Sequence, residues 1–547
     1  MQPTPPVDLT KTILKEALKS NCRTRADLAR FSRRNLKHTS YAFPTSLQFW
    51  EAYRSLLDEG VGSSEIIERI LRVKDVRTES GVAPITVLTK PFPCPGRCVY
   101  CPTEARMPKS YISTEPAAAR ALSLEFDPYE QVRLRVIALE RNGHKANKIE
   151  LIIKGGTWSA YTEDYREWFI TRCFEAANEL PHIPSPSPTD AKDGGLEQTQ
   201  KINETAAYRI IGLTIETRPD WIKPKEVVLL RKLGVTRVEL GLQIINDRVL
   251  SFTKRGTTVT DSEKAIQLLK TAGFKVDVHI LPGQPGATSE DDLESFKTLF
   301  SDPRFRPDMV KIYPCVVLPN SELAEWTARG EFKPLEGPGL LELLVKMQSM
   351  VPKYCRVPRV VRDFPTTQIL SGNKTSNLRE ILDSEMKKRG VQCVCLHCRE
   401  VGHVAGDHTN DKTRIFEERY ENAGGTEIFL SVENEDRSAV FGFCRLRLPS
   451  VGENAEEIYE AFPVLKGAAI IRELHTYGTA LNIDQQDPLA AQHKGYGRLL
   501  MQKAEEIAAK EGYGHMAVIS GLGVREYYRQ LGYQEKDTYM VKSLSPC

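Results

Sequence analysis

Three closely spaced cysteines are the residues of this sequence with the clearest chemistry. Cys94, Cys98 and Cys101 follow the pattern C-x3-C-x2-C, and Tyr100 precedes the last of them. A [4Fe–4S] cluster usually takes four cysteine thiolates, so three thiolates on one loop leave one iron open to another ligand. The alternatives are a zinc loop and a chance grouping. The trio directly follows a predicted strand that opens a series of βα units, and this position favours the iron–sulfur cluster.

The elements that must position this loop alternate as in a parallel βα fold. From Gly81 onward, apolar β-branched runs alternate with amphipathic helices, which indicates βα units and a parallel sheet. The predicted strands are 83–89, 148–154, 208–216, 235–243, 274–281 and 309–316. The predicted helices include 128–142, 162–179, 225–233, 260–272 and 290–299, and residues 181–196 form a surface insertion. Six units predict an incomplete (βα)6 TIM-like barrel in an α/β protein, with the active site at the C-terminal ends of the strands.

The cysteine loop resembles the cluster motif of radical S-adenosylmethionine (SAM) enzymes. This resemblance implies that the open iron binds the amino and carboxylate groups of SAM. It also implies that the reduced cluster splits SAM into methionine and a 5′-deoxyadenosyl radical. An external reductant must supply the electron.

Residues at the ends of later strands are expected to complete the SAM site. The stretch from Lys154 to Thr157 resembles the GGE-type element of these enzymes, and its two glycines allow close backbone approach. Thr157 stands where an acidic residue is usual, so the backbone alone could make that contact. Within this element, Gly155, Gly156 and Thr157 are the candidates that meet the SAM amino group. The further candidates for the ribose or carboxylate of SAM, each of which could equally be a structural hydrogen-bonding residue, are Glu216, Thr217, Arg218, Glu239 and Gln243.

The sequence after about residue 411 predicts a separate α+β domain. Its predicted elements are an antiparallel pair at 427–432 and 438–447, strands at 467–477 and 515–520, and helices at 497–511 and 524–531. The loop before the first of these helices resembles the Q/R-x-x-G-x-G/A loop of GNAT-type acetyltransferases. Backbone N–H groups at such a helix N-terminus can hold the pyrophosphate of coenzyme A. The residues of this loop are Gln492, His493, Lys494, Gly495, Tyr496 and Gly497.

Other residues of this domain are candidates for binding or reacting with acetyl-CoA. Leu474 and His475 lie on the strand that would offer its backbone to the acetyl and pantetheine groups. Tyr527 and Tyr528 are placed where a GNAT tyrosine lies near the thioester sulfur, although core packing is the alternative for this pair. Glu473 and His475 are weaker candidates for acid–base roles.

A second cysteine cluster lies between the two predicted domains. Cys393, Cys395 and Cys398 give three soft ligands within six residues, and His397, His403 and His408 lie nearby in the sequence. This pattern fits a Cys3His zinc site, with His403 as the candidate fourth ligand. Cys315 is a rival fourth ligand. The expected role of this site is structural, holding the two domains together.

The N-terminal region is basic and reads as helical. Residues 1–50 hold nine Lys and Arg against three Asp and Glu, although the net charge of the chain is only +3. Such a concentration of positive charge is typical of a region that binds a polyanion such as RNA. The alternative is a helix face exposed to solvent with no partner. The candidate RNA-binding residues are Arg23, Arg25, Arg30, Arg33, Arg34 and Lys37.

Length and composition predict a multidomain intracellular protein. The 547 residues exceed one ordinary core, and 41% hydrophobic and 27% charged residues are typical of a globular protein. The first twenty residues lack the apolar core of a signal peptide, and no apolar run is long enough to span a bilayer. We therefore expect a cytoplasmic protein that does not bind membranes. The expected regions are 1–75 (basic and helical), 76–375 (radical SAM), 376–410 (cysteine-rich linker) and 411–547 (acetyltransferase).

Taken together, the motifs resemble the catalytic subunits of Elongator over nearly the full length of the chain. The stretches that carry this resemblance are CVYCP (98–102), DPYEQ (127–131), KGGT (154–157), LTIETRPD (213–220), KIYP (311–314), CREVG (398–402), IRELHTYG (471–478) and ISGLGVREYYRQLGY (519–533). Two departures are a shorter loop from Cys94 to Cys98 and the extra cysteines at 395 and 398. They favour a bacterial or archaeal member that acts without the larger complex.

The resemblance implies a tRNA-modifying reaction. The 5′-deoxyadenosyl radical would abstract hydrogen from the methyl group of acetyl-CoA, and the carbon radical would add to C5 of uridine 34 in tRNA. Thioester hydrolysis would leave 5-carboxymethyluridine. Unstacking the base costs little free energy in an anticodon loop. Lys154 is expected to position the acetyl group or the base.

Two other functions remain open at this point. One is a protein lysine acetyltransferase with a structural iron–sulfur domain, and the other is a nucleic-acid-binding protein with decayed catalytic domains. The intact cysteine trio and glycine loop argue against decay. Whether the chain forms a homodimer is also open.

Overall fold

The computed structural model of the chain contains two seven-stranded sheets preceded by a helical N-terminal region. It describes residues 3–20, 22–72, 81–181, 195–404, 406, 408, 410–450, 455–477 and 495–544. Within these ranges, no helix combines the length and the apolar character that crossing a membrane requires.

Four helices form the N-terminal region and have a core of their own. They are α1 (Val7–Lys19), α2 (Arg25–Leu36), α3 (Ser46–Asp58) and α4 (Glu65–Leu71). Thr24 and Thr45 begin α2 and α3 with capping boxes, which satisfy backbone N–H groups at the helix starts. The ring of Trp50 fills the space over Gly143, which has a φ of +85°, and a Cβ there would lie 2.0 Å from the ring. The region is therefore docked on the following domain at that glycine.

The first sheet is all parallel, and its strands follow one another in chain order. The strands are β1 (Ala83–Leu88), β2 (Lys148–Lys154), β3 (Arg209–Thr217), β4 (Arg237–Gln243), β5 (Lys275–Ile280), β6 (Met309–Ile312) and β7 (Arg356–Arg359). The helices of this part are α5 (Pro116–Ser123), α6 (Pro128–Arg141), α7 (Glu163–Glu179), α8 (Gly195–Asn203), α9 (Pro224–Lys232), α10 (Asp247–Phe252), α11 (Val259–Thr271), α12 (Ser289–Ser301), α13 (Glu322–Ala328) and α14 (Gly337–Ser349). β1 and β7 form the two edges, so this is the incomplete barrel that the sequence predicts.

The structure adds one strand to the six predicted ones. β7 has only four residues, Arg-Val-Pro-Arg, and pairs with β6 at Met309 and Lys311. Its arginines and proline give it neither an apolar run nor an alternating pattern, which is why periodicity did not predict it.

Two short helices connect the sheets, and the second sheet is mixed. The connecting helices are α15 (Leu378–Lys388) and α16 (Leu396–Arg399). The strands are β8 (Thr413–Asn422), β9 (Gly425–Asn434), β10 (Val440–Pro449), β11 (Ala468–Thr476), β12 (His515–Val518), β13 (Gln534–Lys536) and β14 (Tyr539–Ser543), in the spatial order β13-β14-β12-β11-β10-β9-β8. Its helices are α17 (Glu456–Ala461), α18 (Tyr496–Lys510) and α19 (Arg525–Gln530). The sequence does not predict β8, an exposed edge strand rich in charged residues. It also does not predict the short strands β13 and β14.

The two sheets pack together through the amino ends of the barrel strands. Gly521 of the second domain lies against the backbone of Ile211 in β3. Arg472 of β11 donates to the carbonyl oxygen of Phe274 at 2.7 Å and to Asp308 beside β6. One continuous hydrophobic core contains buried residues of both domains, among them Val276 and Ile470. The two domains therefore form one body.

Candidate functional site

The loop with the first cysteine trio leaves the carboxyl end of β1 and is fixed by its neighbours. The Val99 amide donates to the Thr253 carbonyl at 3.1 Å, and the Val99 carbonyl accepts from the Leu323 amide at 2.8 Å. Cys94, Cys98 and Cys101 are all free thiols. The predicted cluster cysteines therefore lie where the catalytic loops of a βα barrel lie.

A buried arginine lies beside this loop. Arg255 Nη1 lies 3.6 Å from Cys98 Sγ. A hydrogen bond from Cys101 and the charge of Arg255 hold the pKa of the Cys98 thiol well below its usual range, against the effect of burial. Three cysteine sulfurs on one loop beside a guanidinium form a donor set that fits a [4Fe–4S] cluster.

The predicted glycine element after β2 adjoins the cysteine loop. Thr157 Oγ1 lies 3.6 Å from Cys94 Sγ. A Cβ at Gly155 would lie 1.8 Å from Thr89 Oγ1, and one at Gly156 would lie 2.9 Å from the Lys109 carbonyl oxygen. Both glycines are thus required for the close packing of these loops, and Thr157 faces the cluster position.

The charged residues at the strand ends form one buried group inside the barrel. Lys154 Nζ pairs with Glu239 and lies 3.4 Å from Glu216. Glu239 also contacts His279 Nε2 at 3.0 Å and Lys311 Nζ at 2.6 Å. Burial raises the pKa of Glu239, but the charges of Lys154 and Lys311 outweigh burial and hold this pKa well below its usual range. Lys154 is therefore inside the barrel with two carboxylate partners.

Two other predicted SAM ligands have distinctive surroundings. The Tyr111 hydroxyl donates to Glu216 Oε2 at 2.6 Å. Gln243 ends β4 in a left-handed conformation with a φ of +72°, which is uncommon for a residue other than glycine. Such strained positions cluster at functional sites.

The predicted coenzyme A loop is described only from Gly495 onward, and Gln492, His493 and Lys494 lie outside the described residues. Gly495 caps α18 with a φ of +76°. A Cβ at Gly497 would lie 2.8 Å from the Tyr527 hydroxyl. Tyr496 is buried and bonds through its hydroxyl to Thr413 Oγ1 at 3.1 Å.

β11 and β12 separate beside this helix. They pair in parallel only from Ala468–His515 to Ile471–Val518, whereas β11 continues along β10 to Thr476. Among the described strands, none pairs with the last residues of β11 on the β12 side. Leu474 and His475 therefore lie where backbone groups of β11 can meet an extended ligand.

The two predicted tyrosines have different environments. Tyr528 is buried in the hydrophobic core under α18. The Tyr527 hydroxyl is buried beside Gly497 and has no hydrogen-bond partner among the described residues. Of the pair, Tyr527 is the one placed to meet a ligand at the start of α18.

Glu473 and His475 face the barrel rather than the start of α18. Glu473 pairs with Lys275 at 3.2 Å and with Arg445 at 2.9 Å. Burial raises the pKa of Glu473, but Lys275 and Arg445 lower it to about 2. The geometry favours a structural ion pair between the domains over acid–base work. Burial lowers the pKa of His475, whose Nε2 has no partner among the described residues.

The second cysteine trio comes together as the sequence predicts. The sulfurs of Cys393, Cys395 and Cys398 lie within 4.8 Å of one another. Arg379 Nη2 donates to Cys398 Sγ at 3.2 Å and Gln348 Nε2 to Cys393 Sγ at 2.8 Å. Three converging thiols with cationic and amide donors fit a thiolate-bound metal ion.

Neither His403 nor Cys315 groups with the three cysteine sulfurs among the described residues. His403 groups with His397 and Glu400, and its Nδ1 contacts the His397 carbonyl oxygen at 3.0 Å. Cys315 packs beside Val317, and burial raises the pKa of its thiol to about 12.

The predicted RNA-binding residues lie on or beside α2, and all six are exposed. Arg25 donates to the Ile70 carbonyl at 3.2 Å, Arg30 pairs with Asp27, and Arg34 pairs with Glu16. Arg33 and Lys37 have no ion-pair partner in the described part of the chain. These two side chains have the most freedom to meet phosphates.

Comparison with known proteins agrees with these features. A model of the radical SAM superfamily matches residues 93–299, and one of the radical SAM C-terminal domain matches residues 307–388. A protein of Methanocaldococcus jannaschii described as tRNA uridine(34) acetyltransferase is 45% identical over 500 residues, 88% of each chain. Human Elongator complex protein 3 is 37% identical over 488 residues, 87% of this chain and 86% of its own.

A solved structure gives the same result. Methanocaldococcus infernus Elp3, with its N-terminal residues 1–46 deleted, has a TM-score of 0.71 and 42% identity, covering 85% of this chain and 99% of that chain. These findings confirm the resemblance on which the sequence interpretation rests. The chain belongs to the family of tRNA uridine(34) acetyltransferases and Elongator complex protein 3, within the radical SAM superfamily.

Proposed function

We propose that this enzyme uses acetyl-CoA and SAM to form 5-carboxymethyluridine at position 34 of tRNA. The observation that carries this proposal is the union of a radical SAM cysteine loop and an acetyltransferase-like sheet in one body with a continuous core. Relatives named for acetyl transfer to tRNA uridine 34 favour RNA as the acceptor over a protein lysine.

The barrel would supply the radical. When bound at Cys94, Cys98 and Cys101, a [4Fe–4S] cluster supplies the electron that splits SAM into methionine and a 5′-deoxyadenosyl radical. The loop at 155–157 and the side chains of Glu216 and Gln243 would hold SAM beside it. Lys154 would position the reacting group through its ion pairs with Glu216 and Glu239.

The second sheet would hold acetyl-CoA. Backbone N–H groups from Gly495 to Gly497 would bind the pyrophosphate at the start of α18, together with Gln492, His493 and Lys494. The side of β11 that faces β12 would bind the pantetheine arm at Leu474 and His475. The Tyr527 hydroxyl would donate to the thioester sulfur, because it is buried beside Gly497 without a partner among the described residues. Tyr528 would support it from the core.

Two accessory roles complete the proposal. Exposed side chains on and beside α2, above all Arg33 and Lys37, would contact tRNA phosphates. A structural zinc ion would bind Cys393, Cys395 and Cys398 in the segment 376–410 between the regions 76–375 and 411–547.

The test that separates this proposal from a lysine acetyltransferase is acetyl-CoA hydrolysis measured with and without tRNA. We expect tRNA to stimulate hydrolysis, and we expect Tyr527→Phe to lower the stimulated rate much more than Tyr528→Phe. Hydrolysis that ignores tRNA but rises with a lysine-containing protein would contradict the proposal.

A further inference from the structure

Among the described residues, one buried cation beside the cysteine loop has no carboxylate partner. Arg255 is 6% exposed, and no carboxylate pairs with it in the described part of the chain, although its neighbour Arg218 pairs with Asp220 at 2.9 Å. A buried charge without a counter-charge is strongly destabilising. An anion must therefore face Arg255 in the folded protein.

The neighbours of Arg255 identify that anion. Its Nη2 donates to the Gly241 carbonyl at 2.6 Å, which fixes the guanidinium, and its Nη1 points to Cys98 Sγ at 3.6 Å. Among the described residues, Cys98 is the only side chain that accepts a hydrogen bond from Arg255. The counter-charge is thus the cysteine loop itself.

Two glycines make this arrangement possible. A Cβ at Gly241 would lie 2.8 Å from Arg255 Nη2, and a Cβ at Gly96, inside the cysteine motif, would lie 2.3 Å from Arg218 Nη1. Arg218 Nη1 in turn donates to the Arg255 carbonyl at 2.9 Å. Glycine at these two positions therefore leaves room for Arg218 and Arg255 to pack against each other beside the cysteine loop.

We propose that Arg255 is a positioning residue for the iron–sulfur cluster, donating to the sulfur of Cys98 and offsetting the negative charge of the cluster. This inference rests on the proposed assignment of a cluster to Cys94, Cys98 and Cys101. Reduction adds a negative charge, and a cation next to a ligating sulfur favours the reduced form. Hydrogen bonds to the sulfurs and net charge are known levers on cluster potential. Arg255 thus raises the reduction potential and makes electron uptake easier.

The test is the midpoint potential of the reconstituted cluster, measured by anaerobic redox titration without SAM. Arg255→Gln removes the charge and should make the potential more negative, whereas Arg255→Lys keeps the charge and should shift it less. Gly241→Ala, which crowds Arg255 without removing it, should shift the potential in the same direction. Arg248→Gln is the matched control, because Arg248 is 61% exposed and pairs with Asp291.

The iron and sulfide content of each variant shows whether it still holds the cluster. Loss of the cluster from Arg255→Gln with retention in Arg255→Lys also supports the proposal, because the charge is then what the cluster needs. An unchanged potential in Arg255→Gln, or equal loss of the cluster from both variants, would overturn it. Failure of the wild-type chain to bind a cluster would instead refute the proposed function.

Discussion

Gly521 provides a sharp test of how the two domains are joined. It has a φ of −68° and a ψ of 154°, which alanine adopts without strain. The added methyl would, however, lie 2.0 Å from the carbonyl oxygen of Ile211 and 2.4 Å from its carbonyl carbon. The effect of Gly521→Ala is therefore purely steric and acts between the two domains.

The size of the effect follows from the atoms that collide. Real Cβ atoms keep at least 3.0 Å from such neighbours, so the two backbones must separate by about 1 Å in a close-packed interface. Overpacking lowers the free energy of unfolding by about 1–3 kcal/mol. We expect a loss of about 3 kcal/mol here, because the backbone of Ile211 cannot rotate away as a side chain can. Gly521 lies in the loop that directly follows β12 of the sheet proposed to hold acetyl-CoA. A shift of this loop should therefore also lower tRNA-stimulated acetyl-CoA hydrolysis.

Urea unfolding measures this cost, and Gly514→Ala is its matched control. Gly514 has no atom within 4 Å of the added Cβ, so alanine there should be neutral or stabilising by about 0.4–1 kcal/mol. If Gly521→Ala unfolds like Gly514→Ala, within about 0.5 kcal/mol, the domain contact described here is wrong.

Three further predictions concern the cysteine loop, the basic residues Arg33 and Lys37, and the ion pair of Glu473 between the domains. Cys98→Ala should abolish SAM cleavage and leave acetyl-CoA binding intact by calorimetry, and loss of both would refute a model with two separate sites. Charge reversal at Arg33 and Lys37 should weaken tRNA binding, most visibly at low salt, and should lower the salt dependence of log affinity by about 0.7–0.9 per lost contact; unchanged affinity would remove this face from the model. Burial raises the pKa of Glu473, but its two cationic partners lower it to about 2, from a reference of 4.5. Because the folded pKa is the lower one, the stability that Glu473 contributes is complete above about pH 5 and is lost as the pH falls toward 2. Glu473→Gln should therefore cost about 3 kcal/mol at pH 7 and less at pH 3 by urea unfolding, and an equal cost at both pH values would contradict this ion pair.

The sequence could predict the features that depend on local patterns. The six strand runs, the cysteine spacing and the glycine loop are each contained in one short segment, and periodicity or spacing reveals them. The predicted strands β1–β6 and the approach of Thr157 to Cys94 follow from such segments, because parallel strands end at the same edge.

The remaining features depend on contacts between distant segments. Arg255 is 157 residues from Cys98 in the chain, and nothing in its own segment indicates which thiol it meets. The pairing of Glu473 with Lys275 likewise needs both domains, so Glu473 was an acid–base candidate on sequence alone. β7 and β8 carry too little apolar periodicity to be predicted, because their neighbours in the sheet stabilise them.

The most direct test of the central claim is mass spectrometry of tRNA nucleosides after an anaerobic reaction with SAM, a reductant and acetyl-CoA labelled with ¹³C at both acetyl carbons. We predict 5-carboxymethyluridine at position 34 that carries both labelled carbons and is absent when SAM is omitted or when Cys98 is replaced by alanine. Unmodified tRNA together with a ¹³C-acetylated protein lysine would contradict the account.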